Sequence, residues 1–369
     1  MNERSSRRPI TVLCIVPYPT EGASNRLRVE QYLPHAASQG FRVTISPFVS
    51  SRCYRILYEP GRYLRKAGYV LWGTLKRLGD LLRGFGYDVI LIHREASPFG
   101  PPLLEWCWAK AGKRLVFDFD DAIFLPYISH VHPWIGSLKP KRRVAQSIAL
   151  ARWVIAGNDY LAAFARQHNP QVVVIPTPVD TTQYRPVPRA SDASRIVIGW
   201  IGSRSTVAYL DMLRRVFQRL GQAFPHVEIR IVGGHFFVNG LPNIVHREWR
   251  LDTELAELRS FDIGIMPMPN DPWTQGKCAF KAILCMSLGI PVVCSPVGVN
   301  RDVVEDGRNG FWASTEEEWF ERLSRLITDA ALRRQFGSAA RRTVEERYAL
   351  ARTAEAFIDV LRKTATSCV

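Results

Sequence analysis

Apolar residues in this chain fall into short β-branched runs separated by stretches of helical length. The runs Ile10–Val16, Arg42–Pro47, Asp88–Ile92, Arg114–Asp118, Trp153–Ala156 and Val172–Ile175 are largely continuous, the pattern of strands covered on both faces. Between them Asn25–Ser38, Pro101–Ala111 and Tyr160–His168 read as helices. At Pro176-Thr177-Pro178-Val179-Asp180 two prolines exclude a helix or a central strand, and a polar segment follows to about Ser194. Alternation then resumes, with strands at Ile196–Trp200, Val227–Val232, Asp262–Met266 and Pro291–Cys294 and helices near Thr206–Ala223, Asp252–Ser260, Cys278–Leu288 and Thr315–Ala330. The chain closes with helices at Ala331–Gln335, Ser338–Arg347 and Leu350–Arg362.

This order predicts an α/β protein with two Rossmann-like, doubly wound parallel-sheet domains facing across a cleft. The expected divisions are residues 1–186, residues 187–346, and a C-terminal helix, residues 347–369, that crosses back to the first domain. With 369 residues, 47% of them hydrophobic, the chain can bury two substantial cores, which excludes intrinsic disorder.

Charge is distributed unevenly. The net charge is +15, and residues 1–190 hold 26 basic against 13 acidic side chains, leaving 23 against 21 for the remainder. The first half is therefore suited to an anionic partner: a membrane surface, a phosphorylated substrate or nucleic acid. Nucleic acid is set aside, because no zinc-finger spacing, basic heptad or basic-aromatic recognition motif occurs. The seven cysteines (Cys14, Cys53, Cys107, Cys278, Cys285, Cys294, Cys368) form no C-x-x-C pair, which fits a reducing cytoplasm better than a disulfide framework or structural zinc. The start, Arg4-Ser5-Ser6-Arg7-Arg8-Pro9 before Ile10–Val16, has a superficial likeness to a signal peptide, but the apolar run is short and ends at Pro17, so it reads as the first strand. No apolar run reaches the roughly 18 residues that a spanning helix needs.

In open parallel sheets ligands bind beyond the carboxyl ends of the strands. After the first strand, Pro17–Arg26 is a loop entering a helix, where Gly22 allows close backbone approach and Arg26 adds a cationic donor, unless the segment is a plain capped connection. After the third strand stands His93-Arg94-Glu95, and after the fourth Asp118-Phe119-Asp120-Asp121. His93 is open between a core histidine and a site residue. The D-x-D spacing is open between a polar role in the cleft, a divalent-cation site and a structural turn. In the second half Gly202-Ser203-Arg204-Ser205-Thr206 leaves a strand and opens a helix, an anion cradle by type. Gly276-Lys277-Cys278-Ala279-Phe280-Lys281 opens another, with Lys277 and Lys281 expected four apart on one helix face around an anion, or else simply solvated there.

The stretch Lys281–Val293, its continuation Ser295–Gly310 and Phe261–Pro267 resemble the nucleotide-sugar half of retaining glycosyltransferases of family 4. Val12–Arg26 and Ile175–Asp180 are similar to that family's first half and interdomain hinge. The resemblance implies a GT-B fold, an acceptor held by the first domain and a nucleotide-diphosphate sugar held by the second. It implies donor contacts from Gly22, Gly202, Ser203, Thr206, Trp249, Lys277, Cys278, Ala279 and Phe280. Asp120, Lys281, Arg204 and His93 are the expected catalytic residues, and Arg26, Arg94, Glu95 and Asp121 the acceptor-binding ones. The family's pair of glutamates is replaced by Gly276 and Leu284, its Gly-Arg phosphate loop by Gly202-Ser203 with Arg204 one place later, and a histidine near the donor sugar by Asp120.

Transfer of a sugar from such a donor needs positive charge at the departing diphosphate. In retaining members that phosphate assists deprotonation of the acceptor, so no carboxylate nucleophile, resident cofactor or divalent metal is expected. The segment Arg52–Arg83 carries eight basic and two acidic residues interleaved with Tyr54, Tyr58, Tyr63, Tyr69 and Trp72, which suits an anionic bilayer interface or, alternatively, a solvated helix face with ordinary core aromatics. The expected acceptor is thus a saccharide on a lipid carrier, of the polyprenyl-diphosphate type, used by a cytoplasmic protein peripheral on the inner membrane face during cell-surface polysaccharide assembly. Two rivals stand: a metal-dependent transferase using Asp118 and Asp120, and a non-catalytic protein that binds sugar nucleotides or lipid carriers.

Overall fold

The computed structural model describes residues 8–366 apart from 58, 60, 126–141, 188–194, 239 and 242. Tyr58, Cys368, the arginines before Arg8 and the second half of the polar segment ending at Ser194 lie outside the described residues. The chain divides into two compact units, one running to Thr177 and resuming at Thr353, the other Pro178–Arg352.

The first unit is built on β1 (Ile10–Val16), β2 (Phe41–Pro47), β3 (Val89–His93), β4 (Arg114–Phe119), β5 (Trp153–Ala156) and β6 (Val172–Val174), all parallel, in the order β2-β1-β3-β4-β5-β6. Five consecutive residues of β3, Val89–His93, are buried, as expected of a strand with helices on both faces. Its helices are α1 (Ala23–Arg28), α2 (Leu33–Ser38), α3 (Ser51–Leu57), α4 (Tyr63–Gly84), α5 (Leu103–Lys110), α6 (Arg143–Leu150) and α7 (Asp159–Arg166). The single helix expected over Asn25–Ser38 is broken. Val29 leaves helical geometry at φ −128°, a 3-10 turn occupies Glu30–Tyr32, and Pro34 brings no N–H to the first turn of α2.

α4 docks through an unusual face. Its buried residues are Gly73, Arg77, Asp80 and Gly84. Arg77 donates to Asp80 Oδ2 (2.7 Å), Ser46 O (3.1 Å), Val16 O (2.8 Å) and Ala96 O (2.5 Å), so one guanidinium ties the carboxyl ends of β1 and β2 to the segment after β3. A side chain at Gly84 would meet the Trp108 indole at 2.4 Å, which is why the helix backbone can lie so close.

The second unit contains β7 (Ile196–Ile201), β8 (Val227–Val232), β9 (Ile244–Arg247), β10 (Ile263–Met266), β11 (Val292–Cys294) and β12 (Gly310–Trp312), parallel, in the order β12-β11-β10-β7-β8-β9. The edge strands β9 and β12 were not among the expected strands. Its helices are α8 (Arg214–Ala223), α9 (Glu254–Arg259), α10 (Pro272–Gln275), α11 (Phe280–Ser287), α12 (Asn300–Val303), α13 (Glu316–Thr328) and α14 (Ala330–Arg347), and α15 (Leu350–Thr366) closes the chain. The helix expected from Thr206 begins as a 3-10 turn over Val207–Leu213. The two helices expected at Ala331–Gln335 and Ser338–Arg347 are one, α14, with Gly337 inside it.

Candidate active site

Strand order reverses between β1 and β3 in the first sheet and between β7 and β10 in the second. Each reversal opens a crevice at the carboxyl ends of the strands, and each holds a polar cluster.

In the first unit, β3 and β4 pair with His93 opposite Asp118, so both side chains leave the sheet at one point. His93 Nδ1 lies 2.6 Å from Asp118 Oδ2, and His93 Nε2 lies 2.7 Å from Ser24 Oγ on α1. Arg28, one turn further along α1, holds the Asp118 carboxylate through Nε and Nη2 and donates from Nη1 to Ile175 O at 2.7 Å. All three of His93, Asp118 and Arg28 are buried. The chain of contacts continues outward: Ser24 Oγ lies 3.2 Å from Asp120 Oδ2, Arg94 Nε donates to Asp120 Oδ1 (2.7 Å), and Arg94 Nη2 donates to Asp121 Oδ2 (2.6 Å). Arg94 takes a left-handed backbone at φ +62°, a conformation that costs about 1–3 kcal/mol for a side chain of this kind. Its N–H donates to Asp118 O at 2.7 Å, which fixes it there.

Burial alone would push the Asp118 carboxyl up, but the adjacent Arg28 charge and the His93 hydrogen bond hold it below the usual carboxylate range. Asp120 is held well below that range in the same way, burial being outweighed by the Arg94 charge. The two arginines respond in kind: burial opposes their charge, yet Arg28 beside Asp118 and Arg94 beside Asp120 and Asp121 are both raised. Ser24 has a single hydroxyl proton between two neighbours able to accept it. When that proton points to Asp120, Ser24 accepts from His93 Nε2, and when it points to the ring, Asp120 gives it up. The contacts Asp118–His93–Ser24–Asp120 therefore lead from the buried sheet end to the half-buried surface of the crevice, with the one Ser24 proton serving a single neighbour at a time. Both carboxylates of the D-x-D sequence are engaged by arginines, Asp118 by Arg28 and Asp120 by Arg94.

In the second unit the β7/β10 crevice is lined by close backbone contacts. Gly202 N–H donates to Val232 O (3.0 Å), and a side chain at Gly202 would meet the Trp200 ring at 2.3 Å and Lys281 Nζ at 2.8 Å. Gly233, at φ +86°, has room for a hydrogen only, since a Cβ would stand 2.1 Å from Gly202 O. Lys281, in the first turn of α11, donates to Thr206 Oγ1 (2.9 Å) and lies over the Trp200 indole at 4.7 Å. Ser203 and Arg204 are exposed on the turn that Thr206 closes, with Thr206 N–H donating to Ser203 O at 3.0 Å. Trp249, after β9, donates from its indole to Glu254 Oε2 (2.7 Å), and Tyr184 donates to Glu254 Oε1 (2.7 Å), so a buried carboxylate fixes the ring.

The expectation that Lys277 and Lys281 share one helix face is overturned. Asp271 caps the separate short helix α10 through Thr274, and α11 begins only at Phe280, after Ala279 turns left-handed at φ +50°. Lys277 therefore sits in the connection with Cys278, its Nζ over the Trp273 ring at 5.1 Å. Cys278 and Ala279 are buried, and Phe280 is half-buried against the core. Gly22, ahead of α1, packs on Tyr18 so tightly that a Cβ would lie 2.5 Å from its Cβ, while Arg26 and Glu95 are half-buried near the network of the first unit. Leu284, standing where the resemblance has a glutamate, is buried in the core of the second unit.

Two structural residues escaped the sequence reading. Arg28 has only the faint signal of a charge between Leu27 and Val29, and Ser24 was visible as a possible cap, not as the link between His93 and Asp120. Asp118 was read with Asp120 as a pair, whereas it belongs with Arg28 and His93.

A two-sheet α/β architecture with crevices at both strand reversals is the GT-B fold of glycosyltransferases. Residues 27–183 match the family described as "Glycosyltransferase Family 4", and residues 195–329 that described as "Glycosyl transferases group 1". The chain therefore carries two successive glycosyltransferase family domains on this fold. Over 292 residues it is 27% identical to the D-inositol 3-phosphate glycosyltransferase of Stackebrandtia nassauensis, a match that takes in 69% of this chain and spans 63% of that relative's length. It is similar in fold to Anabaena HepE solved with UDP and glucose, at a TM-score of 0.69, 17% identity, 96% of this chain and 100% of that one. Sucrose-phosphate synthase of Thermosynechococcus elongatus gives a TM-score of 0.69 at 16% identity, covering 97% and 99%.

Proposed function

We propose that the protein transfers a sugar from a nucleotide-diphosphate sugar to a hydroxyl of a saccharide acceptor carried on a lipid, with retention at the anomeric carbon and without a divalent metal. The observation that carries the reading is the second-unit crevice, where Lys281 is delivered by a helix first turn onto Thr206 and Trp200, with Gly202 and Gly233 letting the neighbouring chain segments approach closely. A departing diphosphate needs preorganised cationic donors there, and Lys281 with Arg204 supply them. The fold relatives solved with UDP and with UDP-glucose support a nucleotide-sugar donor. In the first unit Asp120 orients an acceptor or sugar hydroxyl, His93 supports it as a secondary hydrogen-bonding residue through Ser24, and the departing phosphate takes the proton that the acceptor hydroxyl gives up. Arg94 and Asp121 line the same surface and position the acceptor. Nucleotide sugar, lipid-linked saccharide and an anionic membrane are the partners, and the inner face of the cytoplasmic membrane is the place where all three meet.

The test is release of free nucleotide from UDP-, GDP-, dTDP- and ADP-sugars in the presence of a membrane extract, with and without a chelator. Release that persists with the chelator and yields a retained glycosidic linkage is the expected result. Loss of release with the chelator favours metal use by the Asp118/Asp120 pair. Binding of a sugar nucleotide without any release favours a non-catalytic carrier, a reading to which the buried Leu284, in place of a glutamate, lends weight.

A further inference from the structure

α4 is amphipathic, and it sits in the unit with its sides reversed. The face turned inward carries Gly73, Arg77, Asp80 and Gly84, while Leu64, Leu71, Leu75, Leu78, Leu82 and the capping Phe85 are exposed, Leu64 at 90% and Leu82 at 74%. These six repeat at intervals of three, four and seven, so they form one stripe directly opposite the buried face, about 32 Å long at 1.5 Å per residue. A helix of a soluble domain normally turns such a stripe to the core. Here the inward side is occupied by the Arg77–Asp80 pair and two glycines, so the stripe has no alternative position within the fold.

We infer that the α4 stripe is a lipid-inserting face, lying in the plane of an anionic membrane with Leu64 to Phe85 in the acyl boundary. The inference deepens the proposed lipid-linked acceptor and rests on that reading for its biological purpose. Two features favour a bilayer over a second copy of the chain. First, exposed Trp72, Arg65 and Arg83 lie along one border of the stripe, about a quarter turn away, the residue types that settle at a headgroup layer, and exposed Arg52, Arg55 and Arg62 add positive charge nearby. Second, the positions that would flank a paired helix seam, Arg65, Trp72 and Gly79 on one side and Ala67, Thr74 and Leu81 on the other, hold no opposite charges to fix a partner helix. None of the helices among the described residues is long and apolar enough to cross a membrane, so α4 lies on the surface of one.

The arrangement also places the lipid face beside the chemistry. Arg77 binds Val16 O, where the chain leaves β1 on its way to Ser24 on α1, and Ala96 O, just after the His93–Arg94 turn. An acceptor head group held by a carrier in the bilayer therefore arrives at the same edge of the sheet as Ser24, Asp120 and Arg94.

The experiment is flotation of the full chain with phosphatidylglycerol vesicles and with phosphatidylcholine vesicles, for the natural protein and for the double variant Leu71→Glu/Leu78→Glu. Both positions are exposed, so the variant is expected to keep its thermal midpoint and its response to nucleotide sugars. The natural chain should float with the anionic vesicles more than with the neutral ones, and the variant should partition at least about tenfold less. Equal flotation of variant and natural chain overturns the assignment to α4 while leaving membrane association intact. Failure of the natural chain to float overturns the membrane reading itself. A natural chain that is dimeric in solution, does not float, and becomes monomeric in the variant shows that a second copy covers the stripe.

Discussion

The two crevices of the molecule occupy equivalent places in their sheets and are built on opposite principles. The first gathers Arg28, His93, Arg94, Asp118, Asp120 and Asp121 into one ladder in which each charge faces its opposite, much of it shut away from water. The second is made of closely packed glycine backbone, a hydroxyl, an indole and one ammonium. Buried charges are costly unless fully matched, so the first crevice is a rigid device whose members cannot be changed singly. The second asks little of stability from Lys281, whose ammonium meets the Thr206 hydroxyl and the Trp200 indole. In the proposed reading the first orients a hydroxyl and the second takes up a diphosphate.

The sharpest way to break this contrast is Asp118→Ala. It strands Arg28 in a buried site, and urea unfolding should show the first unit weakened by about 3–5 kcal/mol while the second unit is unmoved. A change under about 1 kcal/mol would mean that the ladder is not what holds the crevice. Lys281→Ala is the mirror experiment: turnover should fall about 100-fold or more with the melting profile kept, and unchanged turnover would remove Lys281 from the site.

Acid separates the units less drastically. Asp118 and Asp120 titrate below their unfolded values, so as pH falls the unfolded chain takes up protons first. Their stabilisation is complete above about pH 4 and is lost as the pH drops through the native values, at about 1.4 kcal/mol per pH unit for each carboxyl. Calorimetry between neutral pH and pH 3 should show the first unit melting earlier, and an equal or earlier loss of the second unit would contradict it. The smallest effect is expected from Arg219→Ala, which removes the exposed Arg219–Glu317 pair (2.7 Å) of the second unit and should leave its midpoint within error.

The sheets were legible because their strands are long β-branched runs that need cover on both faces. The edge strands Ile244–Arg247 and Gly310–Trp312 were not, since short strands pair with one neighbour only and carry little pattern. Of the residues singled out at strand ends, His93, Arg94, Asp120 and Asp121 do come together. Their partners were hidden because Arg28 and Ser24 arrive from a helix, where a single polar residue is ordinarily a surface or capping residue. Lys277 was misplaced because nothing local announces that the chain turns left-handed at Ala279, a conformation rare outside glycine. In α4 the basic and aromatic composition was plain. The face that is buried was not, because burying Arg77 depends on an i,i+3 pair with Asp80 and on carbonyls from β1, β2 and beyond β3.

The central claim is that the second-unit crevice takes the diphosphate of a nucleotide sugar. Its most direct test is a thermal-shift comparison of the natural chain and Lys281→Ala against UDP-, GDP-, dTDP- and ADP-sugars. Ligand at 100 times its dissociation constant stabilises by about 2.7 kcal/mol, a midpoint rise of roughly 5–10 °C for a unit of this size. One nucleotide class raising the natural chain by that amount and leaving Lys281→Ala unmoved is the expected result. No response to any donor, or an equal response from the variant, would contradict the claim.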